Sequence, residues 1–221
     1  MAPRRRSNAS PPAGAAVVDG SDYHRPMSTR APPRIGRYRV LGQIARGGSA
    51  DVFVGVPDDD GGPVPRGQRV ALKRLHPHLA ADEAYVRRFL DEARLGARLR
   101  HPGLVRVLDL DEDDDTFFAA LDLVDGPSLS AAIRLVRAQA ARVPPDVVIA
   151  IGVGVAAALA HVHAARDPAT GRALGLVHRD VNPQNIVVGV DEGGQGCVKL
   201  VDLGVARAMA AGVASPTTSS S

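Results

Sequence analysis

Gly126 divides this chain of 221 residues into two textures, and no other feature narrows the fold as much. Before it come five short apolar runs that read as strands: "RYRVLGQIA", "ADVFVGV", "RVALKRL", "LVRVLDL" and "TFFAALDLV". The first two flank a Gly-Gly turn, and with the third they predict an antiparallel meander. Between the third and fourth, "ADEAYVRRFLDEARLGARLR" sets Val86, Phe89, Leu90, Ala93 and Ala97 at helical spacing with charges between them. That is an amphipathic helix, closed by "HPG". After Gly126, "SLSAAIRLVRAQAARV" and "PPDVVIAIGVGVAAALAHVHAA" read as helices, the second with a favourable Pro-Asp start. Short apolar runs in "GLVHRDVNPQNIVV" and "GCVKLVDLG" then flank polar clusters, as strands do when they present loops.

A hydrophobic content of 45% supports a real core, but aromatics supply only 3%, so that core is Val, Leu, Ile and Ala. The length suits one substantial domain or two small lobes. The lone cysteine, Cys197, excludes an internal disulfide framework, fits a reducing compartment and reads as a small core residue. The formal charge of +3 is local: Met1 to Arg34 carries a net +4, leaving −1 for the rest. No nucleic-acid-binding face is expected from that balance. Residues 1–34, rich in Pro, Ala, Ser and Arg, read as a disordered tail. The acidic "DEDDD" reads as a solvated hairpin turn rather than a metal site. "VVIAIGVGVAAALA" falls short of the roughly 18–20 residues of a membrane-spanning helix and is expected to be a buried core helix. With no apolar leader after "MAPRRR", a soluble cytoplasmic protein is expected.

Three constellations carry chemistry. In "IARGGSADVFV", glycines between two strands let backbone N–H groups approach a phosphate, although Gly47-Gly48 alone would serve an ordinary hairpin. Lysine occurs only at Lys73 and Lys199 in a chain otherwise using Arg, and Lys73 closes the apolar Val70-Ala71-Leu72. A lysine meets phosphate as a point charge, and Glu92 on the amphipathic helix is its natural acid. In "HRDVNPQN", Asp180 can accept a hydroxyl proton and Asn185 offers an uncharged oxygen to a hard cation. Asp202 in "LVDLG" adds a second carboxylate, a donor set suited to Mg²⁺ held with substrate phosphates.

Singly, Asp180 would be a turn acid and Asn185 an Asx turn. In order, the Gly loop, strand Lys, helix Glu, His-Arg-Asp with Asn five later, and Asp-Leu-Gly resemble the protein-kinase signature set. From about Ile35 to Arg207 the chain looks like a bacterial serine/threonine kinase of the eukaryotic type. The resemblance implies an α+β, bilobal fold. Residues 35–126 would form the N-lobe, a five-stranded antiparallel sheet with one helix. Residues 127–207 would form a partial, mainly α C-lobe, and 208–221 the disordered start of an activation segment. It also implies ATP and Mg²⁺ as cofactors and a protein Ser or Thr hydroxyl as acceptor. Lys73 would hold the α/β-phosphates and pair with Glu92, Asp180 would be the catalytic base, and Asn185 and Asp202 would hold the metal. The nucleotide would lie under Ile44, Ala45, Arg46, Gly47, Gly48, Ser49, Ala50 and Asp51. Val52, Ala71 and Val187 would pack on adenine, Asp122 and Val124 would meet its edge from the hinge, and Leu121 would be the gatekeeper. His178 and Leu203 would be structural.

Four departures accompany the resemblance. Ala45 and Ala50 stand where the family's loop has its first and third glycines, which is tolerable if φ stays negative. Asn182 stands where serine/threonine kinases usually carry a γ-phosphate lysine, which should weaken transition-state stabilisation without removing the proton acceptor. Leu203 replaces Phe. The sequence ends shortly after the Asp-Leu-Gly motif, so the expectation is a truncated kinase whose helix from Pro144 to Ala165 exposes an apolar face. Autophosphorylation would fall among Ser215, Thr217, Thr218 and Ser219 to Ser221. The alternatives are a nucleotide- or partner-binding pseudokinase or an inactive fragment. His178-Arg179-Asp180 in place of His-Gly-Asp argues against small-molecule phosphotransferases.

Overall fold

A computed structural model describes residues 34–190 and 195–203. The N-terminal tail, the Ser/Thr-rich end and the stretch from Gly204 onward lie outside the described residues.

The strand-rich half folds as an antiparallel sheet. Its strands are β1 (Arg34–Ile35), β2 (Tyr38–Arg46), β3 (Ala50–Pro57), β4 (Val70–Leu75), β5 (Val107–Asp113) and β6 (Thr116–Asp122), in the order β1-β2-β3-β4-β6-β5. Five strands were legible in the sequence; the sixth is the two-residue β1. Gly36 makes it, because its φ of +52° turns Arg34–Ile35 back onto Arg39 and Tyr38. The meander β2-β3-β4 forms as expected. The acidic run is a tight hairpin between β5 and β6, with Asp114 and Asp115 both left-handed (φ 49° and 58°), the signature of a type I′ turn.

Period-two alternation sorts the sheet's two faces. Val70 and Leu72 of β4 join Ile35, Tyr38, Val40 and Phe118 in one buried cluster. Leu75, on the opposite face of β4, packs with Phe89 and Ala93 of helix α1 (Glu83–Arg98). Lys73 shares that second face, so it is turned toward α1. The helix starts where Asp82 accepts a hydrogen bond from the Ala84 N–H at 2.8 Å. At Gly96 it lies so close to β5 that a Cβ there would meet Val107 at 2.8 Å.

The second half comprises α2 (Leu129–Ala138), α3 (Pro145–His163) and an antiparallel hairpin of β7 (Ile186–Val190) and β8 (Gly196–Leu200). Ser128 caps α2 by accepting from the Ala131 N–H. One apolar cluster draws Leu95 and Leu99 of the α1 end together with Ala158 and Val162 of α3, Ile186 and Leu200. It ties the sheet half to the helical half. Cys197 is a free, half-buried thiol beside a second cluster of Val105, Val124, Val187 and Val201.

The expectation of a buried core helix holds only for the end of α3. Ala158 and Val162 are fully buried, whereas Val148, Ile149 and Val153 are 56%, 64% and 63% exposed. The exposed apolar face expected of this helix is therefore present. By length and composition α3 is also the one helix among the described residues that could cross a membrane.

Candidate active site

The site is assembled from both halves, and β4 supplies its cation. Register places Lys73 opposite Val52 on β3 and Ala119 on β6, in the middle of the sheet. Its Nζ donates to Glu92 Oε1 at 2.9 Å and to Asp202 Oδ1 at 2.7 Å. Burial alone would push the Lys73 pKa down. The adjacent Asp202 and Glu92 outweigh that and push it well up, so Lys73 is an ammonium. Burial pushes the Glu92 carboxyl up against the pull of Lys73, and Asp202 adds to the rise. Two carboxylates sharing one ammonium leave surplus negative charge here.

Between Gly175 and Asn185 the chain forms a polar loop above β7. His178 is buried, with its Nδ1 accepting from the Asp180 N–H at 3.4 Å. Burial lowers its pKa, with Asp180 opposing, which favours the neutral ring. Asp180 itself faces solvent. Asn185 Nδ2 donates to its Oδ2 at 2.9 Å, and Asn182 Nδ2 donates to its Oδ1 at 2.9 Å. The Val201 N–H donates to the Asn185 carbonyl at 3.0 Å, which anchors the approach to Asp202 on this loop. Arg179 and Asp202 both hold left-handed backbone, φ 62° and 57°. Such strain costs about 1–3 kcal/mol per residue and is a frequent mark of functional sites.

Asn185 tests the fit of a metal. Its side chain is fully buried, its amide nitrogen is committed to Asp180, and its Oδ1 has no hydrogen-bond partner. An orphaned, neutral oxygen suits Mg²⁺, and the surplus charge around Lys73 points the same way.

The residues expected to line a nucleotide come only partly together. Val52, Ala71, Asp122 and Val124 line one narrow cavity, about 10 Å³, together with Lys73 and Asp202. Leu121 lines both this space and a neighbouring cavity of about 40 Å³ beside Glu92. Val187 lies just below, fully buried against Val124. Val105 and Val201 also wall the cavity and went unnoticed in the sequence, although the alternation of "KLVDLG" could have flagged Val201. Ile44, Ala45 and Arg46 end β2, and Ala50, Asp51 and Val52 begin β3, leaving Gly47, Gly48 and Ser49 as the turn. Neither Ala45 nor Ala50 has positive φ, so the condition for replacing glycine is met. Arg46 bonds Gln43 along its own strand, and Asp51 pairs with His76 at 3.2 Å, so neither side chain contacts Lys73 or Asp180. Leu203 is buried beside α1. The structure thus brings Lys73, Glu92 and Asp202 into one cluster and Asp180 with Asn185 into another.

Residues 38–220 match the protein kinase domain family. The chain is 32% identical to the tyrosine-protein kinase MasK of Myxococcus xanthus over 174 residues, covering 78% of this chain and 26% of that protein. It is 37% identical to the serine/threonine-protein kinase PknL of Mycobacterium tuberculosis over 175 residues, covering 79% and 38%. The chain therefore spans well under half the length of these curated relatives. The crystal structure of the Mycobacterium tuberculosis PknI kinase domain superposes with a TM-score of 0.59 at 31% identity, covering 80% of this chain and 64% of that one.

Proposed function

The chain belongs to the protein kinase family, and from that premise we propose that it transfers the γ-phosphoryl group of ATP to a Ser or Thr hydroxyl of a protein substrate. The single observation that carries the reading is Lys73 held between Glu92 and Asp202, with the Asp180 carboxylate presented to solvent on the neighbouring loop. In this reading residues 35–126 are the nucleotide lobe and 127–207 the partial catalytic lobe. The segments 1–34 and 208–221 flank them.

Lys73 fixes the α/β-phosphates as a point charge, and Glu92 keeps it aimed. Asp180 orients the acceptor hydroxyl and takes its proton as the acceptor oxygen bonds to the γ-phosphorus. The bond from that phosphorus to the β,γ-bridging oxygen breaks, and ADP carries away the electron pair. Asn185 Oδ1 and the Asp202 carboxylate would hold Mg²⁺, which when bound neutralises phosphate charge. Val52, Ala71, Val124 and Val187 shield the base from water. Admitting a planar base to a space this narrow requires the two halves to part.

The Ser/Thr assignment rests on the names of PknL and PknI; MasK is named a tyrosine kinase, so acceptor assays should include all three hydroxyls. We place the protein in the cytoplasm, where ATP is available, with no nucleic acid among its partners. The test is the intact mass of the purified chain and of a mixed Ser/Thr/Tyr peptide set before and after Mg-ATP, beside Asp180→Asn. Phosphate added by the parent alone supports the reading.

A second reading, a nucleotide-binding protein without turnover, is favoured by one observation. Asn182, a neutral side chain, occupies the place of the family's lysine. Saturable Mg-ATP binding with no mass gain would select it.

A further inference from the structure

We propose that Asn182 is a positioning residue that locks the Asp180 carboxylate in one rotamer, so that the catalytic loop holds its base with two neutral amides instead of a cation. The inference deepens the phosphoryl-transfer reading and rests on it.

The side chain of Asn182 is a bridge with both ends committed. Its Nδ2 donates to Asp180 Oδ1 at 2.9 Å and, more weakly, to the Asp180 carbonyl at 3.3 Å. Its Oδ1 accepts from the backbone N–H groups of Gln184 at 2.8 Å and Asn185 at 3.2 Å. Asn185 completes the clamp from the other side, with Nδ2 donating to Asp180 Oδ2 at 2.9 Å and to the Asp180 carbonyl at 3.0 Å. Each carboxylate oxygen therefore receives one amide proton and keeps lone-pair capacity for an acceptor hydroxyl. A solvent-facing Asp would otherwise sample several χ1 wells. Lys73, the ammonium of the neighbouring cluster, bonds Glu92 and Asp202 rather than Asp180.

Side-chain chemistry explains why a lysine could not take this place unaltered. An ammonium has three donors and no acceptor, so it could reach Asp180 but could not cap the N–H groups of Gln184 and Asn185. An asparagine does both, and the Asx turn it makes orients the backbone that carries Asn185. The loop gives up a charge near the transferred phosphoryl and gains a fixed base.

The decisive variant is Asn182→Asp. It keeps the oxygen that caps the loop, turns the donor into a second acceptor and sets a like charge beside Asp180, whereas Asn182→Ala removes cap and donor without adding charge. We expect Asn182→Asp to fold, with only a small drop in melting temperature, because the cap on Gln184 and Asn185 is kept. Its kcat should fall about 10- to 100-fold near neutral pH, a fraction of what a positioned base supplies, with KM for ATP little moved. An Asn182→Asp protein with parental kcat would show that the residue only caps the loop. If the parent shows no turnover, the phosphotransfer reading fails while the lock remains measurable. Three-bond couplings of Asp180 should then report one χ1 rotamer in the parent and averaging in Asn182→Asp. Equal couplings in the two proteins overturn the proposal.

Discussion

At the scale of single residues, Lys73 and Asp180 are asked to do different things, and their variants should fail differently. Under the proposed function, Asp180→Asn keeps the side chain's size but sets an amide donor against one donor of the clamp and removes the proton acceptor, so turnover should fall by about 10²- to 10⁴-fold while Mg-ATP affinity stays near parental. Lys73→Met removes the charge that Glu92 and Asp202 share, leaving two carboxylates facing one another. Both nucleotide affinity and turnover should drop, and titration calorimetry beside a phosphotransfer assay separates the two patterns. His178 offers a pH test. Burial lowers its pKa below the ordinary 6.5, so below that value the unfolded chain takes up a proton that the folded chain resists. Stability from this group is thus present above pH 6.5 and is lost as pH falls toward the depressed value. Melting temperatures measured from neutral pH down to about 5 should fall less steeply in His178→Gln than in the parent, once its lower starting stability is subtracted.

Elements explain why two glycines of similar appearance should respond oppositely to alanine. The segment after β6 runs against β7 so closely that a Cβ on Gly126 would collide with the Val188 carbonyl oxygen. Backbone cannot yield as a side-chain tip does, so Gly126→Ala should cost about 1–3 kcal/mol, the range of overpacked sites, and lower the melting temperature. Gly48 has nothing within 4 Å of its would-be Cβ and no positive φ. Gly48→Ala should therefore raise stability by about 0.4–1 kcal/mol through the unfolded state. Under the proposed function it should also raise KM for ATP, because the open space at the β2–β3 turn serves close approach to phosphate. Denaturant melts and KM measured on the same two variants check both halves of this contrast.

Across the whole molecule, the cluster joining Leu95 and Leu99 to Val162 and Leu200 makes the two halves one folded unit, while among the described residues nothing covers the outer face of α3. A polar replacement on that face should be nearly neutral. Ile149, 64% exposed, can become Lys with a change of about 0.5 kcal/mol or less, as for other surface positions. Sedimentation should show less self-association for Ile149→Lys if this face makes copies stick. A large loss of stability would instead reveal that something covers the helix in solution.

Local chemistry made much of this legible in advance. The strands from Tyr38 to Asp122 announce themselves as short apolar runs, α1 by its apolar spacing and its "HPG" close, and the order of Lys73, Glu92, Asp180, Asn185 and Asp202 points to phosphate and hard-cation chemistry. Those features depend on neighbours in the chain, which a sequence displays. What the sequence left undecided depends on neighbours in space. The wall supplied by Val105, the pairing of Asp51 with His76 and the fold-back of Arg34–Ile35 could not be read from any window. Asn182 is the sharpest case. As a residue type it signals only a missing lysine, and only the folded loop, by bringing the Asp180 carboxylate and two backbone N–H groups within reach of one short amide, gives it work to do.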